Sequence, residues 1–408
     1  MFFNKKFEVV TDESKIDVLL SRSISTILPS KEDLKKEFMS GRRLKIYIGA
    51  DATGPDLHLG HATNFFFLER MRQLGHEIVI LFGDFTAMIG DPSDKDATRV
   101  RLSREEVEEN IKTWKKQISK VLKVDDKKNP VTFEKNSKWL STLTFEKVVD
   151  LASNFTVQQM IERDMFDKRI KEGKPVYVHE FMYPLMVGYD SVVLDVDIEL
   201  GGNDQTFNML AGRTLQKNLT GKNKFVVATT LLQNPVTGKK LMSKSEGGYV
   251  SLQDDSKNMY GKIMALPDEV IKSLFIDGTW LSDEEILDLD KLISENPKEA
   301  KMRLAREIVA IYHDKKAAED AEKNWVETFS KGGVPEDLQI LKAKDNQGLI
   351  DVLVENKIVE SRGEFRRLID GGGIKKADGT QIKDPNALVE NETYKIGKRR
   401  FVKIEILS

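Results

Sequence analysis

Cysteine is missing from this chain of 408 residues. Its absence excludes structural disulfides, thiolate zinc ligands and a cysteine nucleophile. Histidine is scarce, with 5 residues spread along the sequence, so no histidine metal cluster is expected and the metal-ligand set is read as empty. No apolar run approaches the roughly 20 residues that span a bilayer. The N-terminus, with Lys5, Lys6, Glu8, Asp12 and Glu13, lacks the apolar centre and small-residue cleavage site of a secretory signal. A dominant charge sign is also lacking. The formal net charge is -2, so any basic surface for nucleic acid must be local. Internal repeats and low-complexity tracts are absent. What is present is 40% hydrophobic and 32% charged, the balance of a globular protein with two or three domains. A cytoplasmic protein without a membrane partner is expected.

Patterning divides the chain. Residues 1–40 read as helical. Leu44 to Gly49 alternates at period two and predicts a strand, and an apolar helix follows from about His58 to Leu74, stopped by Gly75. Glu77 to Asp84 is a second strand, apolar throughout as in a buried parallel sheet. Strand, helix and strand in about 40 residues make a βαβ unit. Residues 103–123 and 144–172 read as helical. Strands are predicted at Val192–Leu200 and Phe225–Leu232, then helices from about 250 to 330 and a linker at Lys331–Pro335. A different unit starts near 347, with helices at Gly348–Asn356 and Ser361–Asp370 and closing β segments. Ser361 followed by Glu364 suggests a capped helix start.

Two short segments carry the chemistry. The first is Asp56-Leu57-His58-Leu59-Gly60-His61. A helix N-terminus there favours a phosphate. His58 and His61, three apart, share one helical face and can hydrogen-bond phosphate oxygens as charge builds. Gly60 leaves room for a flat group such as adenine. The second is Gly238-Lys239-Lys240-Leu241-Met242-Ser243-Lys244-Ser245-Glu246-Gly247-Gly248. A lysine-rich loop with glycines at both ends can meet a triphosphate in the transition state.

In this order the two segments resemble the paired signatures of class I aminoacyl-tRNA synthetases. Nearly the whole chain is similar to tyrosyl-tRNA synthetases of the bacterial type. The stretches that carry this are Tyr47–His61, Gly83–Ser93, His179–Ser191, Glu199–Asn208 and Leu241–Gly248. Tryptophanyl enzymes carry related motifs but not usually such a C-terminal unit. A nicotinamide oxidoreductase is disfavoured because the first strand lacks a Gly-x-Gly-x-x-Gly turn.

The resemblance implies an α/β fold: a Rossmann-like parallel-sheet catalytic domain over 1–235 with a helical insertion at about 100–185. The signature loop and an α-helical anticodon-binding domain would follow over 236–335. A small α+β RNA-binding domain, like that first known in ribosomal protein S-four, would occupy 345–408. It implies that L-tyrosine is activated with ATP and transferred to the 3' end of its tRNA. Magnesium would travel with the ATP. Homodimers through the inserted segment are typical.

By matching positions, Tyr47 and Asp190 grip the substrate phenol, and Asp91 and Tyr183 hold its ammonium. Gln205 lies near its carboxylate and amino group. Gly49, Asp51, Gly60, Gly202, Asp204, Met242, Ser243 and Lys244 match the ATP site. Lys95 and Arg99 match a basic pair that assists with pyrophosphate, beside the catalytic His58, His61 and Lys244. Arg362, Arg366, Arg367, Lys375 and Lys376 are expected to meet tRNA phosphates. Residues 342–408 hold 14 Lys and Arg against 11 Asp and Glu, a net +3. Three positions depart from the family pattern. Ala52 stands for a proline, which bears on loop rigidity. Val187 replaces a glutamine and cannot hydrogen-bond the ammonium. Leu241 replaces the first lysine of the loop signature, for which Lys239 or Lys240 could substitute.

Overall fold

The computed structural model describes residues 8–90, 102–161, 164–242, 249–330, 339–397 and 400–407. The chain divides into two compact units, Met1–Ala318 and Glu319–Ser408. Six strands of the first unit form one sheet: β1 (Ile24–Leu28), β2 (Lys45–Ala50), β3 (Glu77–Phe82), β4 (Thr132–Lys135), β5 (Ile198–Gly202) and β6 (Phe225–Thr229). Their order is β1-β6-β5-β2-β3-β4. All pairings are parallel except that of β1 with β6. Ile46, Tyr47 and Ile48 of β2 are all buried, as befits a central strand covered on both faces. From β2 the chain winds through β3 to β4 on one side, and later adds β5 and β6 on the other. The carboxyl ends of β2 and β5 therefore flank a topological switch point, where open α/β sheets bind ligands. The Rossmann-like α/β class read from the sequence is the fold observed.

Several local expectations change. Residues 1–40 are not helical throughout: β1 lies between the helices Glu13–Leu19 and Lys31–Met39. Its Ile-Ser-Thr-Ile-Leu sequence favours an extended chain, and β6 offers it an edge. The strand expected from Val192 begins only at Ile198. Val192 to Leu194 instead complete the helix Val178–Leu194, which stops where Asp195 turns left-handed with φ 48°. The segment 100–185 contains β4, which extends the sheet beyond β3.

After residue 250 the unit is helical. The helices Ser256–Ala265 and Pro297–Tyr312 are buried through Tyr260, Ile263, Leu304 and Ile308. Buried Arg22 donates to the carbonyls of Phe275 at 3.2 Å and Ile276 at 2.9 Å. It thereby satisfies the exposed end of the helix Ile271–Gly278. Among the described residues no helix is long and apolar enough to cross a membrane.

The second unit has strands β7 (Gln339–Lys344), β8 (Ile374–Lys376), β9 (Thr393–Ile396) and β10 (Arg400–Leu407), in the order β7-β10-β9-β8. Its core gathers Leu349, Leu353, Phe365, Ile374, Ile396 and Ile404. The helix Arg362–Asp370 starts as anticipated, with Ser361 Oγ accepting from the Glu364 amide at 3.2 Å. β7 was not expected. Only Leu341 and Ala343 of its six residues are buried, too short an alternation to read. The linker expected at Lys331–Pro335 lies outside the described residues.

Candidate active site

A cleft of about 520 Å³ opens at the switch point. Its lining includes Tyr47, Gly49 and Asp51 from the end of β2, and His58, Gly60 and His61 from the helix start beyond it. Tyr183, Val187 and Asp190 enter from the helix Val178–Leu194. Gly202, Asp204 and Gln205 enter from the end of β5, and Met242 closes one side. Every expected catalytic, ATP or tyrosine residue that is described thus borders one cavity. Asp91, Lys95, Arg99, Ser243 and Lys244 lie outside the described residues.

The two histidines form the mouth of the helix Leu59–Gln73. His58 precedes it as the cap, its Nδ1 accepting from the Gly60 amide at 3.1 Å. His61 Nδ1 accepts from the His58 amide at 3.2 Å. The rings stack with centroids 3.8 Å apart. Burial and the neighbouring His58 push the His61 imidazole down to about 3, so it is neutral and presents hydrogen-bonding rather than charge.

The loop before this helix carries Ala52 where the family has proline. Its rigidity comes from the helix Arg104–Ile118. Asn110 Nδ2 donates to Ala52 O at 2.9 Å, Trp114 Nε1 to Gly54 O at 2.7 Å and Gln117 Nε2 to Pro55 O at 2.9 Å. Gln117 Oε1 also accepts from the Leu57 amide at 2.8 Å. Side-chain donors here do what a ring would have done.

A line of hydrogen bonds runs along the cavity wall. Tyr183 Oη donates to Asp51 Oδ2 at 2.9 Å, and Thr86 Oγ1 donates to Asp51 Oδ1 at 2.6 Å. Asn136 Nδ2 reaches Thr86 Oγ1 at 3.0 Å and Asp190 Oδ2 at 3.2 Å. Trp139 Nε1 donates to Asp190 Oδ1 at 2.7 Å. Burial pushes the Asp190 carboxyl well up, and the Trp139 and Asn136 donors pull it back. Gly83 is required beside this line, because a Cβ there would overlap Asp51 Oδ1 and Thr86 Oγ1.

At the deep end, Tyr47 is fully buried and donates its hydroxyl hydrogen to Glu199 Oε1 at 2.5 Å. Its oxygen also meets Ser191 Oγ at 2.8 Å. The buried Lys224 ammonium contacts both Ser191 Oγ and Glu199 Oε2. Gly212 makes room for that ammonium, since a Cβ there would overlap Lys224 Nζ. Gly188 faces the helix Thr206–Thr220 that carries Gly212, and a Cβ on it would lie 3.1 Å from the Gly212 amide nitrogen. On the opposite side of the cavity Lys240 Nζ pairs with Asp204 Oδ2 at 2.9 Å. Lys240, and not Lys239, lines the cleft beside Leu241.

Thr86, Asn136, Trp139, Ser191, Glu199 and Lys224 were not singled out from the sequence. Thr86, Ser191 and Glu199 lie inside the quoted stretches and could have been found there. Asn136, Trp139 and Lys224 have no such signal. Asn208 donates to Gln205 Oε1 at 2.8 Å and has a buried Oδ1 without a partner. Among the described residues no group of three His, Asp or Glu side chains could hold a metal ion.

In the second unit Arg362 pairs with Asp351 at 2.5 Å and Lys376 with Glu390 at 2.7 Å. Arg366 and Arg367 are exposed and Lys375 half-buried, and Arg367 lies close enough to Glu364 to help hold its carboxyl down.

A family model described as tRNA synthetases class I (W and Y) matches residues 39–330. A tyrosine-tRNA ligase of Haemophilus influenzae is 41% identical over 406 residues, covering 97% of this chain and 98% of that one. One from Aquifex aeolicus is 41% identical over 400 residues, covering 97% and 99%. Among solved structures, a C-terminally truncated mitochondrial tyrosyl-tRNA synthetase of Coccidioides posadasii is similar, with a TM-score of 0.61 at 24% identity. It is matched over 76% of this chain and 91% of that one. The Aeropyrum pernix tyrosyl-tRNA synthetase gives a TM-score of 0.59 at 18% identity, over 79% and 100%. A sheet whose switch point gathers His58, Gly60 and His61 with Lys240, Leu241 and Met242, with relatives matched end to end, means that the chain belongs to the class I tRNA synthetases of the tryptophan and tyrosine group, in the bacterial tyrosine-tRNA ligase family.

Proposed function

We propose that this protein is an aminoacyl-tRNA ligase that activates L-tyrosine with ATP and transfers it to the 3' end of tRNA(Tyr). The observation that carries the reading is one cavity with two polar ends. Tyr47 and Asp190 border the first, and the helix mouth of His58 and His61 the second. The tyrosine carboxylate attacks the α-phosphorus of ATP, and pyrophosphate leaves. The tRNA 3' hydroxyl then attacks the carbonyl of the tyrosyl-adenylate, and AMP leaves. No side chain becomes covalently attached. The site orients the reactants and stabilises charge.

In this reading Asp190 and Tyr47 hold the phenol. Asp51, fixed by Tyr183 and Thr86, with Asp91 and Gln205, receives the ammonium in place of the contact that Val187 cannot make. Gly49, Gly60, Gly202, Asp204 and Met242 seat the adenosine. His58 and the neutral His61 donate to phosphate oxygens. Lys240 stands one residue before the position that Leu241 leaves without a cation, and with Lys244, Ser243, Lys95 and Arg99 it meets the leaving pyrophosphate. Magnesium supplies charge neutralisation when it arrives with ATP.

The helices of 250–330 serve the anticodon, and residues 345–408 bind RNA through Arg362, Arg366, Arg367, Lys375 and Lys376. A second copy covers the exposed Phe145, Val149, Val157 and Val178, giving a homodimer. The protein works in the cytoplasm. ATP–pyrophosphate exchange with each of the twenty amino acids offered singly tests the activity. Exchange with tyrosine alone supports it, and exchange with another amino acid overturns the reading of the pocket.

A further inference from the structure

Beyond the lysine-rich loop the chain runs back along the first signature segment. The Leu252 amide donates to the Leu57 carbonyl at 2.9 Å, and the Leu59 amide donates to the Val250 carbonyl at 3.2 Å. His58 therefore faces Ser251 in an antiparallel bridge. Residues two apart share a face of such a ribbon, and a diagonal neighbour lies within reach of an aromatic ring. That neighbour is Tyr249. Its ring meets the His58 imidazole edge to face, with centroids 5.5 Å apart and planes at 82°. The imidazole has further contacts. It stacks on His61, and Gly60 lies so close that a Cβ there would stand 3.0 Å from His58 Cε1. The Gly60 amide occupies Nδ1, which leaves Nε2 as the nitrogen that can donate. The segment 249–253 is itself anchored. The Val250 amide donates to Met242 Sδ at 3.4 Å, Lys120 Nζ to the Leu252 carbonyl at 2.9 Å and Gln253 Nε2 to Asp56 Oδ1 at 2.6 Å.

We infer that Tyr249 is a positioning residue for the activation step. Its ring, together with His61 and Gly60, holds the His58 imidazole in one orientation and so fixes the direction in which Nε2 donates. The inference rests on the reading that His58 meets the phosphate oxygens of ATP. His58 borders the cavity and Tyr249 does not, so Tyr249 acts through the histidine. The Tyr249 hydroxyl reaches the Asp56 carbonyl only at 3.4 Å, the limit of a hydrogen bond. The ring, and not the hydroxyl, carries the role.

The test is ATP–pyrophosphate exchange with tyrosine on the full chain, run as a double-variant cycle. Tyr249→Leu keeps bulk and removes the ring. It should lower kcat by about tenfold or more, the scale of a misplaced reacting geometry, with KM for tyrosine unchanged. Tyr249→Phe keeps the ring and should hold kcat within about twofold of wild type. His58→Asn removes the imidazole while asparagine retains the helix cap. In that background Tyr249→Leu should cost no more than about twofold, because residues that act through one group are not additive. In the wild type, nuclear Overhauser contacts between selectively labelled histidine and tyrosine rings should join Tyr249 to His58. Their absence overturns the inference whether or not Tyr249→Leu folds. So does undiminished kcat in a folded Tyr249→Leu, an equal loss with and without the His58 imidazole, or a loss in Tyr249→Phe as large as in Tyr249→Leu. Absence of wild-type exchange with tyrosine overturns the reading of function and this inference with it, whereas tyrosine exchange with an additive cycle overturns this inference alone.

Discussion

The indole of Trp139 donates to Asp190 Oδ1 at 2.7 Å, across 51 positions of sequence. The bond aims a carboxyl group of the proposed tyrosine pocket and opposes the burial that pushes that group well up. Trp139→Phe keeps the ring and removes the N–H. It should raise KM for tyrosine by about tenfold, the scale of one net hydrogen bond, and leave KM for ATP unchanged. Asp190→Ala should impair tyrosine activation far more than ATP binding. Equal losses for both substrates in exchange kinetics would undo the assignment of the phenol end.

Lys240 and Asp204 pair at 2.9 Å. In the proposed reading ribose hydroxyls take Asp204 and release the ammonium toward the triphosphate. Lys240→Met should lower the rate of adenylate formation by about 10 to 100-fold, within the range for one lost transition-state donor. Tyrosine affinity measured by equilibrium binding should not change. Lys244→Ala should show the same split. A loss of tyrosine affinity without a loss of rate would remove Lys240 from the phosphate site.

Acid should unsettle the fold through its buried imidazoles. His61 is pushed down to about 3 and His76 to about 4, both chiefly by burial, from an ordinary 6.5. The unfolded chain binds these protons between those values and 6.5, and the folded chain does not. Stability therefore rises with pH across that window, is complete above 6.5 and is lost as pH falls toward 3 to 4. His76→Gln should flatten the fall in melting temperature between pH 7 and pH 5. An unchanged slope would mean that His76 titrates normally.

In the second unit Arg366 and Arg367 are exposed and Lys375 half-buried, whereas Arg362 and Lys376 are tied in ion pairs. Replacing the first three by alanine should weaken tRNA binding and reduce its salt slope by about 2 to 3. ATP–pyrophosphate exchange should stay at wild-type rate. Loss of exchange would point to misfolding and not to RNA contact.

Phe145 is 83% exposed and Val178 76%. Phe145→Asp with Val178→Asp should convert a dimer to a monomer in sedimentation velocity. A wild-type monomer would show that this face has no second copy as its partner.

The sequence displayed the framework well where local pattern and local chemistry agree. The stretch from Tyr47 to His61 carries a strand, a turn and a helix start in fifteen consecutive residues, so its fold and its ligand end could be read together. The helix containing Tyr183 and Asp190 was harder. Its last turn is Val-Val-Leu, which reads equally as strand. Asn136 and Trp139 stayed hidden because β4 is four residues long and brings them beside Asp190 only through the sheet. Lys224 sits in a Gly-Lys-Asn-Lys run that resembles a solvated turn, yet its side chain is 0% exposed. Only the empty space at Gly212 and the carboxylate of Glu199 admit it, and neither can be seen in a linear string.

That arrangement ties helix packing to the polarity of the cavity wall. Gly212 lets the helix Val178–Leu194 approach closely through Gly188 and shelters the Lys224 head group at the same time. A lineage that lost the lysine would release the constraint on Gly212, and one that enlarged residue 212 would have to surrender the lysine. Positions 199, 212 and 224 should therefore drift as a set in descendants of this chain, with pocket polarity changing in one coordinated evolutionary step.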